Sequence, residues 1–314
     1  FVAFADAPVD VAVIEVGMGG SWDSTNTADG DVAVFAPIDL DHADKLGETI
    51  EEIATVKAGI IKDGATVVSA EQDAGALNVL RRTAAARGAA FAVEGDAFGL
   101  SAQHLAVGGQ QISVQGLAGR YDDLYLPLYG AHQGHNAALA IAAVESLIGG
   151  GAQALAPDVV ADGLAQVTSP GRLQLVGVAP TVLVDAAHNP HGARALVQAL
   201  DDSFDFDEWG VVLGAFGDKD VAGIVAAITP AATHVFATAP ESERAAEADT
   251  IADLVEGIGG QVSVHRDLAE AAEAAREWAS ASDRRAVVIA GSVVLAGEAL
   301  QLAAEENWKD GWQA

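Results

Sequence analysis

Short apolar runs alternate with amphipathic stretches over most of the chain. Strand-like runs fall near 11–15, 32–36 and 66–69, and again near 181–185, 210–214, 234–238, 261–265 and 286–290. Between them, three- and four-residue spacing of apolar positions predicts helices near 49–58, 74–87, 134–148, 191–200, 220–228, 246–257, 267–280 and 293–304. Strand and helix in alternation predict an α/β fold with parallel sheets. Residues 98–130, "FGLSAQHLAVGGQQISVQGLAGRYDDLYLPLYG", break the alternation with period-two segments and Gly turns, so a small antiparallel β insertion is expected there. The turn signal "TSPGR" at 168–172 marks a boundary, giving domains of 1–170 and 171–314, the second compact and doubly wound.

Composition narrows the class. The 314 residues suffice for two domains with real cores, and 51% hydrophobic residues without a long apolar run predict a soluble cytoplasmic protein that enters no membrane. With 45 acidic against 16 basic residues, the net charge of −29 argues against nucleic-acid binding and against anionic membranes. Zero Cys removes disulfides, thiolate zinc sites and a cysteine nucleophile, so any metal must sit on oxygen or imidazole. The chain opens on Phe1 and "FVAFADAPVD" runs at once toward a strand, so it is expected to start inside a larger protein.

The candidate chemistry gathers where predicted strands end. Glu15 closes the run "VAVIE" ahead of "GMGG", a turn that matches neither G-x-G-x-x-G nor the G-K-[ST] loop absent from the whole chain. One carboxylate there suits Mg²⁺, a hard cation that keeps part of its water shell; a solvated Glu on a tight turn is the alternative. His42 follows Asp41 at the exit of the next strand, either beside Glu15 or as a surface group. Thr49 and Glu52 form a capping box and Gly59 a stop, which phases a helix whose stripe is Ile50, Ile53, Ala54 and Ala58. Lys57 falls on that stripe, where a lysine must snorkel, meet an anion or lose its proton; the neutral amine can capture CO₂ as a carbamate.

His132, Gln133 and Asn136 open an Ala-rich helix, as caps or as recognition groups. Arg172 suits phosphate through its fork of donors, or an interdomain salt bridge. "TVLVDAAHNPHGA" repeats the opening pattern, an apolar run ending in an acid, here Asp185; Asn189 or His188 caps the next helix and Pro190 fits its first turn. Asp218 and Lys219 in "LGAFGDKDV" are either site residues or an exposed turn.

Taken in order, "EVGMGGSWDSTN", "DLDHADKLGETIEEIATVKAGIIKDG", "GAHQGHNAALA", "SPGRLQLV", "DAAHNPHGA", "GDKDV" and "AGSVVLAGE" resemble the folylpolyglutamate synthase/dihydrofolate synthase family of Mur-type ligases, over nearly the whole chain. The resemblance implies the remainder of a P-loop-type ATPase domain followed by a Rossmann-like C-terminal domain. It implies an amide ligase: ATP phosphorylates a carboxylate of dihydropteroate or a reduced folate, and the amine of L-glutamate displaces phosphate. By the same resemblance Glu15 and His42 are metal ligands for Mg²⁺, two ions in all, Lys57 is the carbamylated lysine, Asn136 contacts adenine, Arg172 and Asp185 contact ATP, and His188 supports the phosphates. A monomer acting on small molecules is expected.

Departures temper these implications. The family's phosphate-binding loop and the serine that helps hold Mg²⁺ belong before residue 1, so little ATP affinity is expected from this chain alone. Val56 stands where an acidic residue commonly precedes the special lysine, and Ser21 where a basic one often follows the glycines. A Mur-type cell-wall peptide ligase and an inactive chain that keeps the fold are the competing readings.

Overall fold

The computed structural model describes residues 1–7, 9–40 and 43–308. They form two compact units, one of residues 1–103, 112–124 and 134–164 and another of residues 104–111, 125–133 and 165 onward. The fold is mixed α/β with parallel sheets, as the alternation predicts.

After a short helix α1 (Val2–Asp6), unit 1 lays down β1 (Val32–Phe35), α2 (Ala43–Leu46), α3 (Ile50–Lys57), β2 (Thr66–Ser69), α4 (Ala74–Ala86) and β3 (Ala90–Val93). The strands form a parallel sheet in the order β1-β2-β3, in register Val34 to Val68 and Val68 to Ala92. Phe35 and Val67 from the sheet meet Ile53 and Ala54 of α3 and Leu80 of α4, all buried. The capping box is complete: the Thr49 side chain accepts from the Glu52 N–H and Glu52 accepts from the Thr49 N–H. It phases the helix so that Ile53, Ala54 and Ala58 face inward, with Ile50 half-buried beside them.

The strand expected at 11–15 does not form. This segment has no regular structure, Val13 is 94% exposed, and β1 ends the sheet as an edge strand. Apolar side chains alone do not make a strand; the backbone N–H and C=O groups need a ladder partner, and among the described residues no strand pairs with them. Two other strands lacked a clear signature in the sequence: β3, and β7 described below.

The expected β insertion forms a sheet of its own: β4 (Gly99–Ala106), β5 (Gly109–Gln115) and β6 (Arg120–Leu126) are three neighbouring strands in chain order. Then come α5 (Ala131–Gly149) and α6 (Pro157–Ala165). A fully buried acid, Glu145 on α5, accepts from the N–H groups of Leu117, Ala118 and Gly119 and from the Tyr121 hydroxyl at 2.7 Å. Burial, and then this bond to Glu145, pushes the Tyr121 phenol above its ordinary range. A lone acid inside the apolar run "AIAAVESLI" was the only sequence trace of this clasp.

Unit 2 continues with β7 (Gln174–Val178), β8 (Thr181–Val184), α7 (Pro190–Ser203), β9 (Glu208–Leu213), α8 (Val221–Ile228), β10 (His234–Ala237), α9 (Ala248–Gly257), β11 (Val262–Val264), α10 (Leu268–Ala279), β12 (Arg285–Ala290) and α11 (Val293–Glu305). The sheet order is β11-β10-β9-β12-β8-β7, all parallel except the β7 edge. Leu183, Val211, Leu213 and Val288 pack with α7, α8 and α9 on one face, while Val182, Val184, Val212, Val287 and Ile289 pack with α10 and α11 on the other. Strands buried on both faces read as unbroken apolar runs, which is why sequence periodicity finds them so readily.

This topology has a switch point at the β8–β12 pair. The helix after β8 lies on one face and the helix after β12 on the other, so the chain leaves these neighbouring strands in opposite directions. In open α/β sheets, ligands collect at such a switch point, outside the carboxyl ends of the strands.

Candidate functional site

Three of the expected site residues meet at that carboxyl edge in unit 2. β7 and β8 form an antiparallel hairpin with Gln174 opposite Val184, which carries the "SPGR" turn, just before β7, to the end of β8. There Asp185, only 8% exposed, accepts from the Leu173 N–H at 2.9 Å through Oδ2 and from the Ala187 N–H at 2.8 Å through Oδ1. Burial pushes its carboxyl above the ordinary range; the two backbone donors and the nearby charges of Arg172 and His188 pull the other way. Arg172 itself is exposed. His188 is half-buried, with Nδ1 3.0 Å from the Ala186 carbonyl; if Nδ1 carries the proton it donates there and Nε2 remains an acceptor.

The helix that follows is capped by Asn189, which accepts from the Gly192 N–H at 2.7 Å, with Pro190 at its first position. His188 is therefore free of the capping role. At the neighbouring strand end, Gly291 adopts φ 112°, and a side chain there would meet the Gly214 carbonyl at 2.7 Å. Ser292 then caps α11. Asp218 lies in an exposed turn where Arg244 pairs with it and lies 4.6 Å over the Phe216 ring; the Arg244 bond holds its carboxyl below the usual range.

In unit 1 the "GMGGS" turn packs on the end of α3. The Ser21 N–H donates to the Val56 carbonyl at 2.9 Å, and a side chain on Gly20 would meet the Val56 and Lys57 backbone within 2.9 Å. Gly59 is equally obligatory, since a Cβ there would collide with Ser21. These glycines thus fasten the turn to the helix that carries Lys57. Asp23 closes the turn from the other side, accepting from the Met18 N–H at 2.8 Å and from the Thr25 hydroxyl at 2.6 Å; the Thr25 hydroxyl, then the Met18 amide, hold its carboxyl below the usual range. Asn26 reaches back to the Ser21 and Gly59 carbonyls.

Glu15 precedes this turn as an exposed carboxylate, following an unpaired segment instead of the expected strand. Lys57 is the last residue of α3 and half-buried. Asn136 is exposed in the second turn of α5. His42 lies outside the described residues, as does Asp41. Next to Asn136, His135 places Nδ1 2.6 Å from Oε1 of the buried Glu94, a pairing of residues 41 positions apart that no local spacing could suggest.

The donor set can be tested against a metal. Among the described residues no three His, Asp or Glu side chains converge on one point. Glu15 offers one hard oxygen ligand, which fits Mg²⁺ where water and phosphate oxygens complete the shell, and would not fit an ion that needs an all-protein cage.

Comparisons with known proteins agree with the fold and the motifs. Residues 1–144 match the Mur ligase middle domain and residues 171–293 the Mur ligase glutamate ligase domain. The dihydrofolate synthase/folylpolyglutamate synthase of Mycobacterium tuberculosis is 46% identical over 96% of this chain and 66% of its own length. A probable bifunctional folylpolyglutamate synthase/dihydropteroate synthase of Halobacterium salinarum is 36% identical over 94% of this chain and 35% of its own. The chain thus spans at most about two thirds of these curated relatives. A crystal structure of M. tuberculosis folylpolyglutamate synthase complexed with ADP and AMPPCP superposes with a TM-score of 0.91 at 45% identity, covering 96% of this chain and 70% of that one. E. coli FolC in complex with DHPP and ADP gives 0.84 at 29% identity, over 97% and 69%. On both sequence and fold, the chain belongs to the folylpolyglutamate synthase/dihydrofolate synthase family of Mur ligases.

Proposed function

We propose that this chain serves an ATP-dependent ligase that joins L-glutamate to a folate, to dihydropteroate, or to both. Support comes from relatives described with ADP, AMPPCP and DHPP bound. The observation that carries the reading is the edge of the unit 2 sheet, where Arg172, Asp185 and His188 gather at a topological switch point.

The γ-phosphoryl group of ATP passes to the substrate carboxylate, giving an acyl phosphate and ADP. The glutamate amine then attacks the acyl carbon, phosphate departs with the C–O bond electrons, and the amine loses a proton. Mg²⁺, when bound, screens the charge that spreads over the phosphate oxygens. Glu15 would be the carboxylate that holds it, and His42, outside the described residues, would be a second ligand. Lys57, half-buried under the glycine turn, would carry a carbamate, which replaces an ammonium with an anion. In unit 2, Arg172 and Asp185 serve the nucleotide and His188 orders its phosphates.

The test is ATP- and Mg²⁺-dependent phosphate release with L-glutamate, assayed with dihydropteroate, with tetrahydrofolate and with a nucleotide-linked cell-wall peptide. Release with either pterin acceptor is expected when the chain is assayed within a protein of the full length of its curated relatives, of which it spans about two thirds. Release with the cell-wall peptide alone moves the chain to the other branch of Mur ligases, and no ADP binding or turnover identifies a chain that keeps the fold without the activity.

A further inference from the structure

Asp185 is surrounded by backbone. Each carboxylate oxygen accepts one N–H, Oδ2 from Leu173 and Oδ1 from Ala187, and the Ala186 N–H reaches the Gly171 carbonyl at 2.7 Å. The segment clamped this way turns through two left-handed residues, Gly171 at φ 69° and Leu173 at φ 43°. Leucine rarely adopts that conformation, and here it is buried to 3% exposure with its N–H in the hands of Asp185. Between these two residues stands the exposed Arg172.

We infer that Asp185 is a positioning residue whose carboxylate holds two turns in register at one strand end: the Arg172 turn through the Leu173 N–H, and the His188 turn through the Ala187 N–H. An arginine fork recognises phosphate only when its root is fixed, and the root of this one is fixed by a neighbouring acid across a hairpin. The inference rests on the proposed nucleotide reading for what Arg172 meets, and on geometry alone for what holds Arg172. It differs from a direct ATP contact by Asp185 in a measurable way: Asp185 acts through Arg172.

The Arg172–Leu173 peptide bond offers a test that needs no ligand, because it is a trypsin site whose nitrogen is the one Asp185 holds. In Asp185→Asn, the amide turns a donor toward one of the two N–H groups. Cleavage at this bond should then quicken about tenfold or more, the effect of one buried hydrogen bond on a local opening equilibrium, while other sites are cut at the native rate. Cleavage at the native rate overturns the role. Should the variant fail to fold, hydrogen exchange of the native chain decides: slow, matched exchange at the Leu173 and Ala187 amides is expected, and fast exchange at either overturns it.

ADP affinity supplies the second arm. Arg172→Ala and Asp185→Asn should each weaken ADP, and the double variant should be no weaker than Arg172→Ala within about twofold, as two residues acting through one contact require. Additive losses overturn positioning in favour of direct contact. Quickened trypsin cleavage in Asp185→Asn together with ADP affinity unchanged in both variants upholds the positioning role and rejects the nucleotide reading.

Discussion

Two stretches of this chain look alike in sequence and end in different structures. "VAVIE" is four apolar residues followed by an acid, and "TVLVD" is three apolar residues after a Thr, again followed by an acid. The second is β8, flanked by β12 and β7, with Val182, Leu183 and Val184 fully buried and Asp185 turned onto the backbone. The first has no strand neighbour; Val11 and Val13 are exposed and Glu15 stands in solvent. A strand is a relation between segments, so the same local signal yields an element only where another backbone completes the ladder. The acids diverge for the same reason. Asp185 accepts from two backbone N–H groups, whereas Glu15 stays exposed and is the carboxylate we propose for Mg²⁺.

Substitutions can break this contrast, the largest effect first. Val182→Asp should unfold unit 2 or cost more than about 4 kcal/mol in denaturant titrations, because it buries an unpaired charge between the sheet and α10 and α11. Val13→Asp should stay within about 0.5 kcal/mol. Near the top of the range, Glu145→Ala strands three N–H groups and a phenol, and an order of 3 kcal/mol is expected in the same titration. Asp185→Asn should cost about 1–3 kcal/mol, against nothing measurable for Glu15→Gln. Thr49→Ala removes one half of the capping box, for about 1 kcal/mol.

Acid sharpens the comparison further. Asp185 has a raised carboxyl, so the folded chain holds its proton more readily than the unfolded one, and stability falls as pH rises from the unfolded pKa through the folded one, a desolvation cost that the two N–H bonds to the carboxylate offset only in part. Asp23 is lowered by its hydrogen bonds, so its contribution is present above the unfolded pKa and is lost as pH falls through the folded one. Carboxyl chemical shifts followed through a pH titration should show Asp185 protonating first on acidification and Asp23 after the ordinary carboxylates. The reverse order would contradict both environments.

Much of unit 2 was legible because its strands are apolar on both faces and its helices carry their own caps, as with Asn189, Asp220 and Ser292. β7 was missed: "QLVGV" is an edge strand broken by Gly177, and its meaning comes only from the hairpin it closes with β8. That hairpin is what carries Arg172 to Asp185, so the motif residues were visible while their meeting was not. In unit 1 the glycine turn was legible as a turn near the chemistry. Its partner, the end of α3, was hidden by a separation of about forty residues, and so was the pairing of Glu94 with His135.

The most direct measurement compares the two acids in one experiment: ADP binding by calorimetry with and without Mg²⁺, alongside thermal unfolding, for Glu15→Gln and Asp185→Asn. The account predicts that Glu15→Gln unfolds at the native temperature and loses the Mg²⁺ dependence, while Asp185→Asn unfolds earlier and keeps it. Glu15→Gln retaining full Mg²⁺ dependence, or Asp185→Asn losing it at native stability, would contradict the assignment of cation to one acid and backbone to the other.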